Sequence, residues 1–469
     1  MQPSVTSQYL ARYQRLDTGG DLLPVTGAQR RFVLVRLLDP AGRPDVVPLF
    51  FAFPRGTVDL PRLRDAARSL AALHPALRAR SLVVRGTPVQ RLGEADVPVE
   101  RIGCAPGENG AAALRRTLRS WTADGAPLRL YLADDGADAT EEVLAVALDH
   151  AACDGQSLSR ITGELSAAYR DRLGPQDVAP GSVAQELRAY REAVSMQLTA
   201  EERASGASAL AYWSERLRHV RDAPKAGAQA ASGPSAVAGM TGQAAGATAE
   251  LPTGAVEAHL PVPAGIAAAV PFPELLDACR AAVRAWHGPG HVVAMGYPWG
   301  GRPAAAQPVL GCFLNTVVFP AATGTPSGGV VGDSPGGPAG DDTTTAHWWD
   351  DLDRADTPFD EVVHAARTAG AASWSGRLDG LLTVEDLSRR PPLRLGGVEG
   401  REVNVDGRAV RAPFAVSASH GDDLHLRMVW DRALHGDDAA QGAFDALTGF
   451  VRARLAARAA PAAVSGTEN

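Results

Sequence analysis

Lysine is almost missing from this chain. Lys225 is the only one, so arginine supplies nearly all of the basic charge. Arginine's planar fork suits bidentate anion contacts, but abundant alanine accompanies it, the pattern of a GC-rich coding sequence, and the arginine count alone carries no functional information. Cysteine is scarce as well. Cys104, Cys153, Cys279 and Cys312 are scattered through 469 residues with no CxxC pair, which excludes a disulfide scaffold and offers no zinc or thiol-redox motif. There is no excess of basic charge: the net charge is −7, against the basic surface that phosphate binding requires. The apolar stretches near 226–248 and 303–332 are broken by Gly, Pro, Gln and Asn, so no membrane span is expected. The opening MQPSVTSQYLARYQRLD has no apolar stretch after a basic start, and no secretory signal is expected. P-loop, HExxH, G-x-S-x-G and dinucleotide fingerprints are missing, and no metal site is expected. These absences lead to the expectation of a cytoplasmic protein without nucleic-acid or membrane partners.

What is present is ordinary globular composition, 45% hydrophobic and 21% charged. The length is about three times that of a ~150-residue domain. Helical spacing appears in Leu60–Leu73, Ser157–Arg170, Leu275–Trp286, Phe359–Thr368 and Ala439–Ala457, and one long helix is predicted over Val183–Val220. Val143–Leu148 (VLAVAL) reads as a buried strand, with further strands at His291–Tyr297, Leu381–Val384, Phe414–Ala418 and Leu424–Trp430. Residues 222–255 and 321–345 are Ala/Gly/Ser/Thr/Pro-rich and read as flexible insertions. No solenoid-type repeat is visible. The predicted organisation is α/β: a first lobe over 1–185, a connecting helix over 186–221, a flexible linker over 222–255 and a second lobe over 256–469.

The chemistry is concentrated in Asp149-His150-Ala151-Ala152-Cys153-Asp154-Gly155, between a strand and a helix. A histidine at a strand end titrates near neutral pH and suits general-base work. Asp154 would orient the turn or cap the helix after it, and Gly155 permits close approach to the backbone. Taken alone, His-x-x-x-Asp-Gly is a weak signal and more often a structural turn, with Asp154 capping the helix that begins near Ser157.

Further stretches occur in a fixed order: Thr26-Gly27-Ala28-Gln29-Arg30, His74-Pro75-Ala76-Leu77-Arg78, Gly296-Tyr297-Pro298-Trp299-Gly300-Gly301-Arg302, Gly311-Cys312-Phe313-Leu314-Asn315-Thr316 and Thr357-Pro358-Phe359. Together with the His150 motif they resemble the condensation domains of nonribosomal peptide synthetases, within the chloramphenicol-acetyltransferase-like acyltransferase superfamily. The ordered set covers residues 26 to about 455. The resemblance implies two acetyltransferase-like lobes in a V with an active-site tunnel between them. It implies catalytic roles for His150, as base or positioner of the nucleophile, and for Gly155, whose N–H would face the oxyanion. Asp149, Asp154 and Arg302 would be structural, with Asp154 paired to Arg302. Ser157, Asn315 and Thr316 would line the tunnel, although Asn315 reads equally as a turn asparagine satisfying backbone groups.

The implied activity is a free-standing condensation reaction. An acyl or aminoacyl group would pass from a phosphopantetheine thioester on an acyl or peptidyl carrier protein, supplied in trans, to an amine or alcohol. No cofactor would be bound, since the arm travels with the donor. The alternatives are an acyl-CoA-dependent acyltransferase of the same fold and a non-catalytic recruitment module. One departure stands in the motif itself: Asp149 occupies the place of the family's first histidine. Cys153 reads as an inert buried thiol, and Trp299, Trp348 and Trp349 as core or pocket wall.

Overall fold

A computed structural model of the chain describes residues 3–16, 22–39, 45–134, 140–222, 251–262, 270–287, 291–322, 339–368, 374–421 and 423–459. Two mixed sheets organise them. The first has five strands in the order Arg401–Glu402, Val46–Pro54, Glu141–Asp149, Leu128–Asp134, Val99–Ile102. The second has six, in the order Leu314–Ala322, Val292–Gly300, Gly380–Asp386, Phe414–His420, Asp423–Asp431, Thr253–Pro261.

The strand Glu141–Asp149 is central to the first sheet and buried on both faces. Successive side chains of a strand point to opposite sides. Leu144, Val146 and Leu148 therefore enter one core, with Leu63 and Leu70 of helix Leu60–Leu73 and with Ile161 and Leu165 of helix Gly155–Asp171. Val143, Ala145 and Ala147 enter another, against Leu114 and Leu118 of helix Gly110–Arg119. Two-sided burial is why this strand reads as an unbroken apolar run. In the second sheet, Phe414–His420 and Asp423–Asp431 bury every second residue. Helices Phe272–His287 and Asp437–Ala459 supply the other half of that core, through Leu276, Val283, Phe444 and Leu447 among others.

Three sequence expectations are corrected. The long helix over Val183–Val220 is two helices, Pro180–Ala204 and Ala207–Arg216. Ser205 ends the first by donating its hydroxyl to the Glu201 carbonyl at 2.7 Å, and Gly206 is the N-cap of the second. The linker expected to 255 is shorter, because strand Thr253–Pro261 pairs with Asp423–Asp431 from its first residue. Helix Ala339–Leu352 begins inside the stretch expected to be flexible over 321–345, and strand Leu314–Ala322 ends inside it. Residues 223–250 and 323–338 lie outside the described residues.

The chain also crosses between lobes more often than linear order suggests. Arg401 and Glu402 pair with Ala52 and Phe51 at the edge of the first sheet. Val309, Leu310, Phe313, Leu393 and Leu395 pack in the first lobe's core although they follow the linker. Two later segments are thus stapled onto the first lobe, and one of them leads directly from Arg302.

Candidate active site

The strand Glu141–Asp149 delivers its last residue to the His150 turn. Asp149 Oδ1 accepts from the Ala151 N–H at 2.8 Å and from Arg36 at 2.6 Å, closing a single 3-10 turn over His150–Ala152. The His150 N–H donates to the Asp45 carbonyl at 3.0 Å. The helix Gly27–Leu38 braces this turn from one side. Thr26 and Gln29 form a reciprocal capping box at its start. The Gln29 side-chain amide donates to the Ala151 carbonyl at 2.8 Å, and the Phe32 ring lies 4.5 Å from the imidazole, centroid to centroid. Gln29, Phe32 and Arg36 recur at helical spacing, so one helix face carries all three contacts. Half-buried His150 follows the end of strand Glu141–Asp149 and has its ring against Phe32.

Asp154 joins the two halves of the chain. It caps helix Gly155–Asp171, its Oδ1 accepting from the Ser157 N–H at 3.0 Å and the Ser157 hydroxyl at 2.9 Å. Its Oδ2 accepts from the Phe313 N–H at 3.1 Å, and Arg302 contacts both oxygens at 2.9 and 3.1 Å. Arg302 also donates to the carbonyls of Val309 and Gly311 and to Gln156, and it stacks over the Phe313 ring. The motifs around 154, 302 and 311 are one hydrogen-bonded cluster.

Gly155 is the first residue of that helix, and a Cβ built on it would meet nothing within 4 Å. Its N–H belongs to the helix's first four, which have no intrahelical acceptor, at the positive end of the helix dipole. Ser157 is 1% exposed, and its hydroxyl is committed to Asp154, Arg302 and Gly311. Asn315 donates to the carbonyls of Ala355 and Thr357 and accepts from the Phe359 N–H, fastening strand Leu314–Ala322 to helix Phe359–Thr368. Both residues thus have a fastening geometry. Thr316 accepts from Arg31 at 3.1 Å through its hydroxyl. Cys153 is buried, and burial holds its thiol well above the ordinary value, so it is no thiolate nucleophile. Trp299 and Trp348 pack against the second core, whereas Trp349 is exposed.

The motifs did not point to Arg36, Phe32, Asp45 or Arg411. The first two carry a signal, since they continue the helix face that begins at Gln29. Asp45 and Arg411, 3.5 Å apart, carry none, because they sit outside the motifs and 366 positions separate them. His74 proves to be structural: it is sealed between Glu186 at 2.9 Å and Glu164 at 2.6 Å. Among the described residues no group of three or more His, Cys, Asp or Glu is placed to hold a metal ion. Among them, too, no helix is long and apolar enough to cross a membrane.

Comparison with known proteins agrees with this geometry. Bacitracin synthase 3 of Bacillus licheniformis is 31% identical over 154 residues, 32% of this chain and 2% of that protein. Phenyloxazoline synthase MbtB of Mycolicibacterium paratuberculosis is 32% identical over 184 residues, 38% of this chain and 15% of that protein. The chain therefore spans a small part of the length of these relatives. Among solved structures, the nonribosomal peptide synthetase FmoA3 superposes with a TM-score of 0.61 at 19% identity, over 97% of this chain and 44% of that one. The epimerization domain from the third module of tyrocidine synthetase B gives 0.61 at 15% identity, over 94% and 98%. These likenesses establish the two-lobe, chloramphenicol-acetyltransferase-like α/β fold. The family model described as the condensation domain matches residues 20–324, more than half of the sequence, and the chain belongs to the condensation-domain family.

Proposed function

We propose that this chain is an acyltransferase of natural-product biosynthesis. It moves an acyl or aminoacyl group from a phosphopantetheine thioester, on an acyl or peptidyl carrier protein acting in trans, to an amine or alcohol. The two lobes form a V around a tunnel, and the carrier-borne arm enters it. The protein binds no cofactor of its own.

The observation that carries this reading is the joint placement of His150 and Gly155 on either side of a short, fully braced turn. As the nucleophile attacks the thioester carbonyl, a C–N or C–O bond forms and the nucleophile becomes acidic. His150 accepts that proton or holds the nucleophile in line. The carbonyl oxygen becomes an oxyanion, which the Gly155 N–H and the helix's positive end stabilise. Collapse of the tetrahedral intermediate breaks the C–S bond, and the departing thiolate takes up the proton that the nucleophile gave up. Asp154, Arg302 and Ser157 keep the turn and the 309–313 segment in register throughout.

The test presents one acyl group on a carrier protein and on CoA, with a panel of amines and alcohols, and measures kcat/KM for each. Faster transfer from the carrier supports the reading. Equal or faster turnover of the CoA thioester moves the protein to acyl-CoA-dependent transfer, and no product from either donor favours a recruitment role.

A further inference from the structure

Gly155 and Gln156 open helix Gly155–Asp171, and both are exposed, whereas Asp154 before them and Ser157 after them are buried. Side chains of a helix lean towards its N-terminus, the end at which the Gly155 N–H has no intrahelical acceptor. The Gln156 side chain meets Arg302 there, and the guanidinium donates to its Oε1 at 2.9 Å.

That one contact fixes the rest of the amide. A guanidinium carries donors and no acceptor, so Gln156 can face Arg302 only with its oxygen, and its NH2 is turned away. Arg302 is itself immobilised, by Asp154 and by the carbonyls of Val309 and Gly311. Among the described residues, Gln156 Nε2 has no acceptor. Beside it lies Gly300, the last residue of strand Val292–Gly300 in the second sheet. A Cβ on Gly300 would meet Nε2 at 3.9 Å and nothing else within 4 Å, and one on Gly155 would meet nothing. An oriented, unused donor therefore stands in an open gap between a helix of the first lobe and a strand of the second, bordered by two glycines. A substrate entering that gap displaces its water. An amide N–H stripped of water is costly unless the substrate brings an acceptor.

We infer that Gln156 is a specificity-determining residue, whose side-chain amide donates to a carbonyl oxygen of the acyl group beside Gly155. This rests on the condensation reading, which puts the thioester carbonyl at the Gly155 N–H. The oxygen is either that thioester carbonyl or the next carbonyl along an N-acylaminoacyl group. A neutral NH2 takes such an oxygen without a counter-charge, and a site built around a hydrogen bond discriminates strongly against an analogue that lacks the acceptor.

The experiment compares wild type with Gln156→Met and Gln156→Glu. Methionine keeps the length and removes the amide, whereas glutamate keeps an oxygen for Arg302 and removes only the NH2. N-acetylglycyl and pentanoyl thioesters, equal in chain length, are presented on one carrier protein with one amine, and kcat/KM is measured. N-acetylglycyl transfer should fall at least tenfold in both variants. A loss confined to that donor, erasing a wild-type preference over pentanoyl, identifies the acyl-chain carbonyl. An equal loss with both donors, carried by kcat, identifies the thioester carbonyl. In a second arm the amide analogues of the donors, with NH in place of the thioester sulfur, are titrated calorimetrically, and N-acetylglycyl should bind both variants at least fivefold more weakly. Gln156→Glu at wild-type rates overturns the inference, because the Arg302 contact is then all that matters, and unchanged rates in both variants overturn it outright. No transfer by wild type, with analogue binding weakened in both variants, overturns the condensation reading and leaves the Gln156 contact standing. No transfer with unchanged binding overturns both. Gln156 is exposed, so both variants should melt with wild type, and a misfolded one leaves the other to decide.

Discussion

Arg302 and Asp154 meet at 2.9 and 3.1 Å across 148 positions of sequence, with both side chains almost wholly buried. Removing one member of such a pair strands a charge in the interior and costs roughly 3–5 kcal/mol. Arg302→Ala should therefore lower the unfolding free energy measured in urea by about that amount. Asp154→Ala should cost more, because the N–H groups of Ser157 and Phe313 lose their acceptor too. An Asp154→Ala protein as stable as wild type refutes the clasp.

His150→Ala should reduce kcat for acyl transfer by roughly 10²–10⁴, the usual worth of a positioned base. The turn is held by Asp149, Gln29 and backbone contacts, so the melting temperature should stay close to wild type. Transfer within a few-fold of wild type removes His150 from the mechanism.

Asp149 acts on His150 through the turn. Asp149→Asn keeps an acceptor for the Ala151 N–H but gives up the ion pair with Arg36, and should cost about 1 kcal/mol with little change in kcat. Asp149→Ala loses both and should lower kcat without raising KM, because the base is misplaced while binding surfaces remain. Equal kcat for the two variants argues against a positioning role.

His74 supplies a pH signature away from the site. Burial lowers its pKa, but the hydrogen bonds it donates to Glu164 and Glu186 outweigh that and raise it above 6.5. A raised histidine pKa gives stability that is fully present below 6.5 and lost as pH climbs through the folded value. Burial raises Glu164 and Glu186, yet the bonds to His74 prevail and hold both below 4.5, so their share is present above 4.5 and lost as pH falls through the depressed values. The stability advantage of wild type over His74→Gln should be greatest between 4.5 and 6.5 and shrink above 6.5. A gap that widens from pH 7 to 9 reverses the sign and refutes the assignment.

Much of this molecule was legible without a structure. VLAVAL announced the strand that carries His150, because a strand buried on both faces needs apolar residues at every position. The helix over Ser157–Arg170 was readable from its 3.6-residue spacing, and the motifs at 26–30, 150–155, 296–302 and 311–316 named most of the residues that converge. What linear order could not give was which of these groups face a substrate and which face each other. Ser157 and Asn315 are both polar side chains, yet Ser157 is committed to Asp154, Gly311 and Arg302, which meet only once the 302–313 segment is stapled onto the first lobe, and Asn315 to the backbone of 355–359. Arg30 and Arg31 are adjacent and chemically identical, and a rotation of about 100° around the helix gives one a carboxylate and the other a hydroxyl and a ring. Local periodicity is a property of neighbouring residues and survives in the sequence. The partner of a charge is set by whichever distant segment the fold brings against it.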